Sequence, residues 1–199
     1  KIIKSSDLVS SDEFGYSVAI SGNYAIIGSH KDDDNGDDSG SAYIYGPDGP
    51  LLKITNDSQN MVVNGTITSD SIVSKTNTLD NLNVGTYLAP FSKETKITAS
   101  DPAADDNFGY SIAISGNYAI VGAWNDDDKG SNSGSAYIFN VTTGTEIHKL
   151  VADDGAASDY FGTSVAIDGN YAIVGAYSDD DNDNNSGSIY IFGHIEDDL

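Results

Sequence analysis

The chain has 199 residues, 38% of them hydrophobic, which is enough for one good core or two small ones. Nine lysines, no arginine and 31 acidic residues leave a formal charge of −22. Such a charge repels nucleic-acid phosphates and anionic lipid and favours inorganic cations or cationic partners. Cysteine is absent, so disulfides and thiolate metal sites are excluded, and no apolar run approaches the roughly 20 residues that span a bilayer. The expectation is a globular chain with neither a nucleic-acid partner nor membrane insertion. Beginning at Lys1 without Met and showing no signal peptide, it reads as a processed product or a fragment.

Three near-copies of a 32-residue string begin at Phe14, Phe108 and Phe161. Repetition of this kind marks a supersecondary unit that buries its faces by stacking on its neighbours. The first two copies lie 94 residues apart and the last two 53, so an insertion of 41 residues follows the first copy. The lead-in repeats as well: Asp7, Asp101 and Asp154 each stand seven residues before the Phe, and Asp12, Asp106 and Asp159 stand two before it.

In the first unit, Tyr16–Ile20 and Tyr24–Gly28 are rich in β-branched and aromatic residues and are separated only by Ser21-Gly22-Asn23. That spacing predicts a hairpin, because Gly-Asn accepts the positive φ of a tight primed turn. A polar loop leads to a third strand at Ser41–Tyr45, and the turn Gly46–Gly49 to a fourth at Leu51–Ile54. Alternation puts Tyr16, Val18 and Ile20 on one face of the first strand and Ser17 and Ala19 on the other, while Ala25 and Ile27 oppose Tyr24, Ile26 and Gly28 in the second. Neither face is polar, so each small sheet is suited to being sandwiched between similar sheets, as in a β-propeller.

Residues 55–93 do not match the repeat. Short β-prone pieces at Met61–Val63, Thr66–Thr68, Ser71–Val73 and Leu82–Val84 are divided by Asn- and Ser-rich breaks. They read either as strands packed on the blades or as an arm that adds strands to another subunit. Their style resembles the Asn/Thr/Ser-rich β segments of viral and phage fibre proteins.

The runs FGYSVAI, GNYAIVGA, DDD and SGSAYIF resemble the FG-GAP repeat of integrin α-chain propellers. The resemblance implies an all-β fold of four-stranded antiparallel blades in a β-propeller-like arrangement, with an extended β insertion. The division that follows is a first blade at 1–54, the insertion or assembly arm at 55–93, a second blade at 94–147 and a third at 148–199. A propeller needs at least about four blades. Three copies therefore imply completion by the insertion, by further chain, or by other copies through exposed strand edges.

The acidic loops after the second strand carry the candidate metal ligands: Asp32, Asp34, Asp37 and Asp38, then Asp126 and Asp128, then Asp179 and Asp181. Clustered carboxylates repel by about 1 kcal/mol per pair at 4 Å even in water, and calcium, which takes six to eight oxygens, would relieve that. The alternative is a solvated loop in which the first or last Asp caps a turn. The calcium loop of integrin-type repeats lies between the first two strands, where this chain has only Ser-Gly-Asn or Asp-Gly-Asn, so that site does not carry over. Trp124 replaces His30 and Tyr177 beside the acidic run and is a candidate either for packing or for stacking on a sugar. Sequons at Asn56, Asn64, Asn140 and Asn184 are candidate glycosylation sites.

No pair of histidines among His30, His148 and His194 has metal-ligand spacing, no Cys nucleophile exists, and the Asp clusters lie among Gly, Asn and Ser rather than in an apolar pocket that would raise a pKa. The reading is non-enzymatic: an extracellular, cell-surface or virion-surface structural or adhesive subunit, homo-oligomeric or filamentous, with calcium as a candidate stabiliser. The alternative is a carbohydrate- or protein-binding propeller module of a larger secreted protein.

Overall fold

A computed structural model of the chain describes residues 3–7, 9–47, 93–181 and 183–193, and the backbone of 52–54 and 61–63. The described residues contain no helix. The hairpin expected from Ser21-Gly22-Asn23 joins β1 (Val18–Ser21) to β2 (Tyr24–Ser29), with Gly22 at φ 55°, and β3 (Ser41–Gly46) pairs antiparallel with β2.

The fourth strand is not where the sequence placed it. β4 (Leu52–Ile54) pairs with β5 (Met61–Val63), whereas β6 (Lys93–Ile97) pairs with β3, setting Ile97 opposite Ala42 and Thr95 opposite Ile44. The insertion thus falls between the third and fourth strands of one sheet, and the sequence unit is offset from the sheet by one strand. The pieces expected at Thr66–Thr68, Ser71–Val73 and Leu82–Val84 lie outside the described residues.

The second sheet has the same order in β7 (Ser111–Ser115), β8 (Tyr118–Ala123), β9 (Ser135–Asn140) and β10 (Thr145–Leu150). Among the described residues the third has three strands: β11 (Phe161–Asp168), β12 (Tyr171–Ala176) and β13 (Ser188–Gly193).

The sheets stack face to face, as expected from two apolar faces. Ile26, Ala42, Ile44 and Ile97 of the first pack against Val121, Tyr137 and Phe139 of the second. Ile120, Ala136, Ile138 and Leu150 of the second pack against Ala172 and Val174 of the third, with Tyr190 and Phe192 at the margin. Each joint therefore sets a face of Ile and Ala against one that carries aromatic rings.

What brings the sheets this close is a backbone contact at the Phe-Gly turn. Gly109 and Gly162, at φ 93° and 89°, present their carbonyls to the preceding sheet, where Ser17 and Ser111 donate to them at 2.6 and 2.7 Å. A Cβ on Gly28 would overlap the carbonyl oxygen of Gly109, and one on Gly122 that of Gly162. The preceding acidic loop also offers a row of carbonyls. Asp105, Asn107 and Phe108 donate their backbone N–H groups to Asp37, Asp38 and Ser39; Ser158, Tyr160 and Phe161 donate theirs to Ser131, Asn132 and Ser133. These bonds leave Phe108 and Phe161 fully buried between sheets.

Gly122→Ala forces a methyl group into main chain that cannot move aside, and we expect it to lower stability by about 3 kcal/mol, at the upper end for overpacking. At Gly175 the closest neighbour of a new Cβ is the movable hydroxyl of Ser164, so Gly175→Ala should cost less than about 1 kcal/mol. Urea denaturation of both variants at low protein concentration checks the contrast.

Candidate functional site

Each acidic loop is built around the first Asp of its triplet. Gly40, Gly134 and Gly187 return their N–H groups to the carbonyls of Asp32, Asp126 and Asp179 at 2.8–2.9 Å, closing the loop on that residue. One carboxylate oxygen of each accepts the N–H of the residue two places on, at Asp34, Asp128 and Asp181. This is the turn-capping role foreseen, but the capping Asp is not solvated: Asp32, Asp126 and Asp179 are only 2–3% exposed. Their other oxygen takes the hydroxyls of Tyr43, Tyr137 and Tyr190 at 2.8, 2.8 and 2.6 Å. Each of these tyrosines also reaches the lead-in residue Asp7, Asp101 or Asp154 at 3.0, 2.9 and 2.8 Å. A hydroxyl has one proton, so it bridges two carboxylates by serving one at a time.

Two such carboxylate groups already hold a cation. Lys96 of β6 places Nζ 2.9 Å from Asp32 and 3.1 Å from Asp7, and also meets Asp34. Lys149 of β10 stands 2.6 Å from Asp101 and 3.2 Å from Asp126, and also meets Asp128. Burial opposes ionisation of Asp7, Asp32, Lys96, Asp101 and Lys149, yet the hydrogen-bonded ion pairs outweigh it: the two lysines are raised and the three carboxyls are held below the usual carboxylate value.

The third group, Asp154, Asp179 and Asp181, has no lysine among the described residues. There the carboxyl of Asp181 is raised by its hydrogen bond to Asp154, whose own value is lowered by hydrogen bonding, first from Tyr190.

Carboxylate oxygens converge within 4.8 Å in three triads: Asp33, Asp37 and Asp38; Asp101, Asp126 and Asp128; Asp154, Asp179 and Asp181. Several acidic clusters are thus able to hold a metal. Of the eight residues singled out from sequence, Asp32 and Asp34 lie with Lys96, Asp126 and Asp128 with Lys149, Asp37 and Asp38 with Asp33 in a separate outward triad, and Asp179 and Asp181 in the group without lysine. That last group offers three carboxylates and a phenol oxygen, oxygen donors of the kind hard cations take.

The lysines, the tyrosines and Asp7, Asp101 and Asp154 are functional positions that the acidic runs alone do not point to. The signal was present: each Tyr follows its lead-in Asp by 36 residues and its loop Asp by 11, and each Lys stands five residues before the next lead-in Asp.

Trp124 belongs to a row of rings that crosses all three repeats: Tyr16, His30, Tyr110, Trp124, Tyr160 and Tyr177, with successive centroids 4.1–5.6 Å apart. Packing accounts for its position, yet its indole Nε1 is buried without a hydrogen-bond partner among the described residues. Tyr16 and Tyr177 at the two ends are exposed. Tyr160 in the row was not foreseen, because the equivalent residues are Glu13 and Asn107.

The remaining candidates lie apart. Asn140 uses its side-chain oxygen to accept N–H bonds from Thr142 and Thr143, and Asn184 is exposed on the third acidic loop; Asn56 and Asn64 lie outside the described residues. His30 stands 3.7 Å from Glu13, and burial lowers its pKa. His148 lies in β10, away from His30, and His194 is outside the described residues. No described helix is long and apolar enough to cross a membrane.

Stacked antiparallel sheets, each joined to the next through a Phe-Gly turn, define a β-repeat module. The FG-GAP repeat profile matches residues 1–45, 91–139 and 145–192, and the chain belongs to that family. No curated protein matches it. Among solved structures, the computationally designed Ika4 protein aligns over 93% of each chain at 14% identity with a TM-score of 0.32.

Removing a cation from a buried carboxylate group leaves repulsion uncompensated. Lys149→Met should therefore destabilise the fold by about 2 kcal/mol, less than a fully buried pair would lose because Asp101 and Asp128 are partly exposed; thermal melts of the two proteins measure it. Asp106 behaves oppositely. It is buried, accepts the N–H of Ala103 at 2.6 Å, and is pushed by burial from 3.8 up to about 6. The native state thus keeps a proton that the unfolded chain has released, and stability falls as pH rises from about 4 through about 6. Asp106→Asn should flatten that decline, so its melting temperature relative to the parent rises across the same interval.

Proposed function

We propose that this FG-GAP chain is a non-enzymatic structural or adhesive subunit, working outside the cell or on a particle surface and assembling with further copies of itself. One observation carries this reading: the chemistry of the acidic loops is spent on fastening. Their carbonyls receive the next repeat, and their buried carboxylates are capped, bridged by tyrosine or paired with lysine. A hydrolytic pair would instead need one carboxyl isolated in an apolar cleft facing substrate. A cleft of about 310 Å³ between β2, β3 and β6 of the first sheet and the β9–β10 turn of the second is lined by Tyr24, Ile44, Lys93, Thr95 and Val141 among others and presents no carboxylate.

Calcium enters the proposal at the group without lysine, where Asp154, Asp179, Asp181 and the Tyr190 oxygen would hold it. Bound there, it would supply the charge neutralisation that Lys149 supplies in the second repeat. A second reading, a carbohydrate- or protein-binding module, is favoured by the ring row, whose faces suit stacking on a sugar and whose indole N–H is unsatisfied.

Light scattering on the full chain, with chelator and with millimolar calcium, tests the proposal. Particles heavier than 20.9 kDa are expected in both conditions, with a higher melting temperature in calcium. A monomer at all concentrations overturns the assembling subunit, and a melting temperature indifferent to calcium removes the metal. If soluble oligosaccharides shift the emission of the single tryptophan in a monomer, the second reading replaces the first.

A further inference from the structure

We propose that the outward face of the third sheet docks the first sheet of a second copy of this chain, through the same joint that links the sheets within one copy. The inference rests on the assembling-subunit reading and names the surface that performs it: a sheet face, not a strand edge.

Both halves of the joint stand ready at opposite ends of the stack. The receiving half recurs in all three repeats as a strand glycine, a serine beside it and an acidic-loop corner. These are Gly28, Ser17 and Asp38 in the first repeat, Gly122, Ser111 and Asn132 in the second, and Gly175, Ser164 and Asn185 in the third. The corner has φ 47°, 58° and 52° in turn, so the third is shaped like the two that are engaged. In the first two repeats the glycine faces the carbonyl of Gly109 or Gly162, whereas the atoms nearest a Cβ on Gly175 all belong to Ser164. The apolar residues around it agree. Ile44 and Ile138 are 2% and 0% exposed, but their equivalent Ile191 is 70% exposed, with Ile189 and Tyr171 bare beside it.

The inserting half is equally preformed on the first repeat. Asp105, Asn107 and Gly109, which engage the first sheet, have φ 68°, 59° and 93°; Ser11, Glu13 and Gly15 have 82°, 55° and 92°. Gly109 and Gly162 meet backbone of the preceding sheet, while Gly15 has nothing among the described residues within 4 Å of where its Cβ would be. Phe14 is half-buried where Phe108 and Phe161 are wholly so, and Val18 and Ile20 are 69% and 68% exposed. Left-handed backbone at non-glycine residues is costly and persists when its surroundings demand it. At Ser11 and Glu13 it anticipates a neighbour that none of the described residues supplies.

Transferring the internal geometry gives the contacts. Ser11, Glu13 and Phe14 of one copy donate backbone N–H groups to Asn184, Asn185 and Ser186 of the other, Ser164 donates its hydroxyl to Gly15, and Tyr16 joins Tyr177 so that the ring row continues from copy to copy. The contact is head-to-tail. Its repetition gives a closed ring if the rotation closes and an open filament if it does not. Two copies would make six blades, within the range of closed propellers. At −22 per chain the copies repel one another, so association should tighten as salt is added.

Sedimentation of the full chain and three variants tests the joint. Gly175→Ala blocks the receiving half, Ile191→Lys charges it, and Val18→Lys charges the inserting half; all three sites are open enough for the variants to fold, which circular dichroism verifies. Each variant alone should associate at least about thirtyfold more weakly than the parent, the size of a hot-spot loss. Gly175→Ala mixed with Val18→Lys should recover a species of two chains, because one intact pair of faces remains between them. Variants that assemble like the parent, or a mixture that stays monomeric while the parent assembles, overturn this joint and leave the assembling subunit standing. A parent that never assembles overturns both.

Discussion

The approach of main chain to main chain at the Phe-Gly turn is the constraint on which the stack depends. Two apolar sheet faces would slide freely over one another if dispersion alone held them, since apolar contact is not directional. The carbonyls of Gly109 and Gly162 remove that freedom by seating against Gly28 and Gly122, with Ser17 and Ser111 as donors. Once the turn is seated, the backbone bonds from Asp105, Asn107 and Phe108 set the register of the loop beside it. The aromatic faces then fall where Ile and Ala leave room.

The acidic loops belong to this scheme more than to a separate surface chemistry. A loop that offers its carbonyls to the next repeat must hold its shape, and the buried Asp32 and Asp126 provide that by capping the turn and accepting a tyrosine. Burying those carboxylates requires a partner charge, which Lys96 and Lys149 bring from the outermost strand. The strongly negative composition is thus only in part a feature of the solvent-facing surface.

Much of this was legible because the repeat states it three times. Hairpins at Ser-Gly-Asn, the third strand and the two-faced character of each sheet follow from turn chemistry and alternation, and these appear as read. The fourth strand was misplaced because Leu51–Ile54 has the right composition beside a turn. Only the long-range pairing of Ile97 with Ala42 shows that the insertion lies inside a sheet. The lysines escaped for the same reason: Lys96 is 64 residues from Asp32, and such a pairing becomes visible only when the strand register is known. Trp124 stands out in sequence as the odd member of its column, but the row it joins depends on how neighbouring columns interleave across a joint.

Both partners of each joint are carried by a single stretch of about 53 residues, the spacing between the last two Phe-Gly turns. A tandem duplication of that stretch would be born with a mate on either side, needing no compensating change elsewhere. Unit number in such an architecture is therefore free to vary by recombination, while any drift at the seating glycines is checked twice over, by the neighbour before and the neighbour after.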